Sequence, residues 1–216
     1  MKSKSPPTPV ARDLVVLVAD KDIEYSLKGL LTRTDSLQIQ TEISYDIFKH
    51  PHKDSGCLNG SQDVLSPLAA QYRFALVVFD REGSGCDTGR DSAELHVESQ
   101  LSKYGWQDRC SAIAIEPEIE SWVWIDSPHV PGNLNWKGSY AELKALLCQD
   151  GFWHVEEAKP HRPKEAVDRT LRLGKKPHSS AIFEALAKSV SIRRCQDLAF
   201  QKLQGVLQKW FPRQSS

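Results

Sequence analysis

Carboxylates are the residues whose types and positions here could do chemistry. Asp20, Asp22 and Glu24 follow the apolar run Leu14–Ala19, and Asp80 and Glu82 follow Phe74–Phe79. Glu116, Glu118 and Glu120 follow Cys110–Ile115. If the three runs are buried parallel strands, their ends share one rim, and ligands of open α/β sheets sit beyond that rim. Carboxylates gathered there repel one another and lose solvation, so some stay protonated unless a cation joins them. Mg²⁺ meets that need, because it takes oxygen ligands and keeps several waters. Two such ions roughly 3.5–4 Å apart stabilise both the attacking and the leaving oxygen of a phosphoryl transfer.

A simpler account competes. Asp and Glu favour the first turn of a helix for capping and dipole reasons, and Asp20, Asp22, Glu116 and Glu118 each sit at an expected helix start. Taken singly, capping or solvation explains those four. Asp80 with Glu82 opens a Gly-bearing loop, where function concentrates. Glu120 sits beside Trp122 and Trp124 in an apolar stretch, where a carboxylate needs a reason to be buried.

Other chemistry is thinner. His50-Pro51-His52 with Asp54 and Cys57 matches no zinc spacing and reads as a solvated loop. His50 or His52 could still act as a base or phosphate contact at the same sheet edge. Gly83-Ser84-Gly85 lacks the GK[ST] ending of a phosphate loop, and Ser84 has no evident base. Lys159, Arg162, Lys164, Arg169, Arg172, Lys175, Lys176 and His178 form the main basic stretch, either a phosphate-holding patch or a solvated helix face paired with Glu165 and Asp168.

The elements that must position these groups follow from periodicity. Leu14–Ala19, Phe74–Phe79 and Cys110–Ile115 are short, continuous apolar runs of the kind buried on both faces of a parallel sheet. Leu37–Phe48 alternates and reads as a second strand or a bent pair of strands, and His50–Ser61 reads as a loop. Helices are expected at Ile23–Leu31, Gln62–Tyr72, Asp91–Tyr104 and from Glu116 to Trp124, with a Gly-rich loop at Arg81–Gly89. Further helices are expected at Tyr140–Gln149, Pro163–Leu173, Ser179–Ser189 and Asp197–Trp210. The alternation implies an α/β fold: a mainly parallel, Rossmann-like sheet flanked by helices, with a helical C-terminal third. The six tryptophans read as core or subunit-interface anchors.

Composition bounds the function. The 216 residues carry 28 Lys plus Arg and 28 Asp plus Glu, so no global field draws nucleic acid or an acidic membrane. Five cysteines without CxxC pairing suggest free thiols in a reducing compartment, the cytoplasm. No apolar run reaches the roughly 20 residues that span a bilayer. Residues 1–12 read as a disordered, Pro-rich lead without a secretory signal.

At these residues the chain resembles the Toprim-like superfamily, found in topoisomerases, primases, overcoming-lysogenization-defect nucleases and bacterial defence proteins. Asp80-Arg81-Glu82 after its strand resembles the DxD-type motif, and Leu14–Ala19 with its acidic turn stands where the first motif does. Pro117–Trp124 (PEIESWVW) resembles the E-x-W segment of small Toprim-like proteins of defence islands. Lys159-Pro160, Arg162-Pro163-Lys164-Glu165, Ser179-Ser180 and the closing helix from Asp197 keep that order, so the resemblance covers nearly all of the chain after Asp13. More narrowly, it is similar to the small Toprim-like component of methylation-associated phage defence systems. Two departures touch catalysis. Ala19-Asp20 replaces the first motif's glutamate, with Glu24 further on, and Glu82 replaces an aspartate.

The resemblance implies a Toprim-like domain over 13–136 and a helical extension over 137–216. It implies an Mg²⁺-dependent (or Mn²⁺-dependent) nuclease or phosphoryl-transfer enzyme of antiviral defence. Asp20, Glu24, Asp80, Glu82 and Glu120 would be catalytic, with Asp20, Asp80 and Glu82 holding metal. Lys159, Arg162, Lys164 and His50 would contact phosphate. Partners would be other proteins of the defence system and DNA or RNA, with no membrane. The rival expectation is a catalytically degenerate subunit that docks to a larger defence partner.

Overall fold

The computed structural model describes residues 12–193 and 195–213. The expected N-terminal lead lies outside the described residues except for Arg12, which opens the first strand. The chain runs β1 (Arg12–Val18), α1 (Lys21–Leu31), α2 (Thr34–Leu37), β2 (Tyr45–Lys49), α3 (Lys53–Leu65), β3 (Tyr72–Asp80), α4 (Arg81–Ser84), α5 (Arg90–Leu101) and β4 (Cys110–Ile115). It continues as α6 (His129–Asn133), α7 (Tyr140–Gln149), α8 (Pro163–Leu173), α9 (Ser180–Ser189) and α10 (Leu198–Trp210).

The four strands are parallel in the order β2-β1-β3-β4. This is the expected α/β, Rossmann-like architecture with a helical C-terminal part. Leu14–Val18 and Ala75–Phe79 are buried throughout, as strands covered on both faces must be. Right-handed crossovers put α1 on one face and α3 and α5 on the other, because the chain reverses direction across the sheet after β2. The contacts agree: α3 packs on α5, and α1 packs on α9. The C-terminal helices thus complete the core, with Arg33 donating from beyond α1 to the carbonyls of Ala187 and Val190 at the end of α9. Trp106, Trp124, Trp153 and Trp210 are buried core residues.

Five local expectations are corrected. Leu37–Phe48 is no single strand: Leu37 ends α2, and Ile39 makes an isolated bridge to Pro212, so its burial comes from the C-terminus rather than from the sheet. Residues 53–61 are not a loop but the start of α3. Its glycines face the buried His50 ring; a Cβ on Gly56 would stand 2.0 Å from His50 Nδ1. They mark a close approach, not a turn. The expected Gln62–Tyr72 helix breaks at Ser66–Leu68, a 3₁₀ turn carrying Pro67, and Tyr72 already belongs to β3. Glu116–Trp124 forms only a 3₁₀ turn, Ile119–Trp122. Its two indoles are anchored to different elements, Trp122 to Asp197 and Trp124 to the Pro163 carbonyl, and that holds the chain out of an α-helix. The Gly-rich segment after Asp80 opens with the single turn α4 before becoming loop.

The exposed edge of β4 is closed by side chains. Ala112 N–H donates to Glu98 and Ala114 N–H to Glu94, carboxylates one turn apart on α5. Lys202 of α10 reaches both, at 3.1 Å from Glu94 and 2.8 Å from Glu98. Edge N–H groups are otherwise a template for aggregation. Glu94 is 3% exposed, and burial raises its pKa against the opposing pull of Ala114 N–H and Lys202. Lys202→Met should therefore destabilise the fold by about 2 kcal/mol, since one charge of a buried pair is left uncompensated. Urea denaturation measures it, and Glu94→Gln combined with Lys202→Met should recover much of the loss.

Candidate functional site

The sheet register places the strand ends side by side. Val18 is level with Lys49 on one neighbour and Val78 on the other, and Asp80 is level with Ile115. The chain turns from β1 outward to β2, then back past β1 to β3. The crevice between the carboxyl ends of β1 and β3 is therefore the topological switch point, where such sheets bind ligands. Asp20 and Asp80 stand at that point.

Asp80 is the centre of the site. It is 9% exposed, and its Oδ1 is buried with no hydrogen-bond partner. Its pKa is pushed well above the carboxylate range, first by burial and then by the charges of Asp54, Glu120, Asp20 and Glu118. Asp54 comes from the first turn of α3, and its Oδ1 accepts the Asp80 backbone N–H at 2.8 Å. Burial, with Asp20 adding to it, raises the Asp54 pKa as well. A Cβ on Gly83 would lie 2.7 Å from Asp54 Oδ2, so the backbone after Asp80 can approach this carboxylate only as glycine.

The other wall is the turn after β4. Glu120 is 3% exposed; burial, then the neighbouring Glu118 charge, raises its pKa to about 7. Glu118 is half-buried, and its Oε1 accepts the Lys164 backbone N–H at 3.2 Å, with the Lys164 Nζ 4.0 Å from Oε2. Burial works against the Lys164 ammonium, yet Glu120, Glu118 and Asp80 together hold its pKa above the usual value. Lys164 is thus the cation that the first turn of α8 brings to the acids.

Of the residues expected at the site, the fold gathers Asp20, Asp80, Glu120 and Lys164. Asp20 also caps α1, its Oδ1 accepting from Asp22 N–H at 2.9 Å and Ile23 N–H at 3.0 Å. Glu82 is exposed at the rim, its backbone N–H held by the Pro117 carbonyl, and its charge reaches Glu118. Glu24 is engaged along α1 by Lys28 at 2.6 Å. Lys159 is held by Asp197 at 2.8 Å and Arg162 by Glu165 at 2.8 Å. His50 is buried between β2 and α3, and burial lowers its pKa; its Nδ1 accepts the His52 N–H. That bond leaves the neutral ring with its proton on Nε2.

Asp54, which the sequence groups with His50, His52 and Cys57, joins the acids instead. The signal was present: Cys57, Leu58, Ser61 and Leu65 recur at helical spacing and are buried. That pattern makes Asp54 a first-turn residue directly after a strand. Three lysines were also passed over. Lys21, Lys49 and Lys53 line an open cleft of about 450 Å³ with Asp20, Asp22, His50, His178 and Ser180, beside the start of α1. Asp22 closes its far wall, bonded to His178 Nε2 at 2.9 Å and to the Ser180 hydroxyl.

No family model, curated protein or solved structure matches the chain. The geometry has to carry the functional reading.

The donor set fits a hard dication through an unpartnered buried carboxylate oxygen with further carboxylates around it. Among the described residues, no three acidic oxygens of this cluster lie within 4.8 Å of one another. A cation here would therefore be held directly by one or two of these carboxylates, with waters filling the rest of its shell, as Mg²⁺ allows. Without metal, the raised pKa values have a sign. Folded Glu120 keeps a proton between pH 4.5 and about 7 that the unfolded chain has lost, so its contribution to stability falls as pH rises through that window. In chelator, Glu120→Gln should stabilise the fold by on the order of 2–3 kcal/mol at pH 8 and by almost nothing at pH 4. Denaturation curves at the two pH values read the difference.

Proposed function

We propose that the chain is a Toprim-like, Mg²⁺-dependent enzyme acting on phosphodiester bonds of nucleic acid, working with other proteins of a bacterial phage-defence system in the cytoplasm. One observation carries the chemistry: the unpartnered, buried Asp80 carboxylate at the switch point, surrounded by Asp20, Asp54, Glu118 and Glu120 with Lys164 beside them. The defence role rests on the resemblance of the Asp80-Arg81-Glu82 and Pro117–Trp124 segments. The described residues hold no helix long and apolar enough to cross a membrane.

Asp80 and Asp54 would hold the cation, with Asp20 and Glu82 reaching it through water. Bound Mg²⁺ or Mn²⁺ supplies a Lewis acid for a phosphoryl oxygen and lowers the pKa of a coordinated water. Lys164 would neutralise charge on the non-bridging oxygens. Glu120, buried next to it, would orient the attacking water and take its proton as the P–O bond to the leaving oxygen breaks. Lys21, Lys49 and Lys53 give the cleft beside Asp20 the charge to hold flanking phosphates.

A second reading has its own support. The Asp20 Oδ1 is already committed to the backbone of α1, where the related motif has a longer glutamate. A subunit that binds metal or nucleotide without cleaving, and serves a partner protein, fits that observation. Asp80→Asn separates the two. On the enzymatic reading it lowers Mg²⁺ or Mn²⁺ affinity at least about tenfold, abolishes cleavage of labelled single- and double-stranded DNA and RNA, and abolishes plaque reduction. Plaque reduction that persists in Asp80→Asn supports the docking subunit instead. Lys164→Ala should weaken nucleic-acid binding while calorimetry shows the metal still bound.

A further inference from the structure

A second group of ligand-type side chains lies well away from the acids in sequence, on the connection between α7 and α8. We propose that His154, Glu157 and His161 form a binding site for a borderline transition-metal dication of the Zn²⁺ type. One donor atom from each of the three lies within 4.8 Å of the other two, a condition met by no other His, Cys, Asp or Glu group among the described residues. His161 Nδ1 is 3.7 Å from Glu157 Oε2, and the imidazoles of His154 and His161 stack 4.1 Å apart.

The donors sit on an anchored turn rather than a free loop. Glu157 N–H closes the turn on the His154 carbonyl at 3.0 Å. The Glu157 carbonyl accepts from Trp153 Nε1 and from Lys144 Nζ, each at 3.0 Å. Trp153 is buried against Trp124, and Pro160 is buried beside His161. The nearby cations are engaged elsewhere, Lys144 on that carbonyl and Lys159 on Asp197. The backbone therefore holds three donors together, and only exposed side-chain torsions remain to adjust.

Donor chemistry selects the ion. Two neutral imidazoles and a carboxylate suit Zn²⁺ and its neighbours, whereas the all-oxygen set around Asp80 suits Mg²⁺. Zn–N distances near 2.0–2.1 Å bring donors to about 3.3 Å across a tetrahedral angle. The rings are only 13° from parallel, so their in-plane lone pairs run side by side. Metal entry must tilt them toward a point and break the stack. Three protein donors leave a position open to water or to a side chain of another protein. The metal would also tie His161 to the turn that follows α7, just before the first turn of α8 that presents Lys164.

The test uses the full-length protein, chelator-treated, titrated with ZnCl₂ by calorimetry and with CoCl₂ in the visible spectrum. The expected result is one Zn²⁺ per chain, with intense four-coordinate d–d bands for Co²⁺. His154→Ala and His161→Ala should each weaken binding at least about tenfold, with circular dichroism unchanged. Asp80→Asn should leave Zn²⁺ binding as it is, which separates this site from the acidic one. Failure of wild-type protein to bind Zn²⁺, or undiminished binding by the His154→Ala/His161→Ala double variant, overturns the proposal. In the latter case the cysteines or the His178–Asp22 pair hold the metal.

Discussion

Like charge brought together without water is the constraint on which this molecule turns. The parallel sheet delivers Asp80 to a place where burial and four carboxylates oppose its ionisation, and leaves one of its oxygens without a partner. A protein interior does not hold such a group without compensation. The compensation is a proton, a nearby ammonium or a cation. Lys164 supplies part of it from the first turn of α8, while burial and like charge still push the pKa values of Asp80, Asp54 and Glu120 upward.

The rest of the fold serves that arrangement. Helix α3 carries Asp54 under the start of α4, and Gly83 permits the approach. Gly56 and Gly60 let α3 close over His50 at the end of β2, which fixes where α3 begins and therefore where Asp54 points. On the opposite side, Trp122 and Trp124 pull the post-β4 turn toward the C-terminal helices and set Glu118 and Glu120 against α8. The C-terminal helices thus bring the Lys164 ammonium to the acids as well as completing part of the core.

Elsewhere the same physics is resolved differently. Glu94 and Glu98 are buried or half-buried carboxylates, yet each has a backbone N–H from β4 and the Lys202 ammonium. Their acceptor oxygens are satisfied, so they act as structure. The contrast with Asp80 is the physical ground for reading one carboxylate group as edge protection and the other as a candidate reaction centre.

The sequence by itself determined the architecture. Continuous apolar runs at Leu14–Ala19, Phe74–Phe79 and Cys110–Ile115 specify strands buried on both faces, and acids directly after them must fall on one rim. Helices with clear start signals, the Ser139–Glu142 capping box before Tyr140–Gln149 and the proline that opens Pro163–Leu173, were legible to the residue. Tertiary structure decided the membership of the site. It enrolled Asp54, whose helix was obscured by glycines that only the neighbouring imidazole explains, and it engaged Glu24 and Arg162 with partners on their own helices and Lys159 with the distant Asp197. It also brought His154 and His161 into contact across a turn. Periodicity reports which face a residue shares with its own element. Which distant side chain meets it there depends on packing, and no local pattern encodes that.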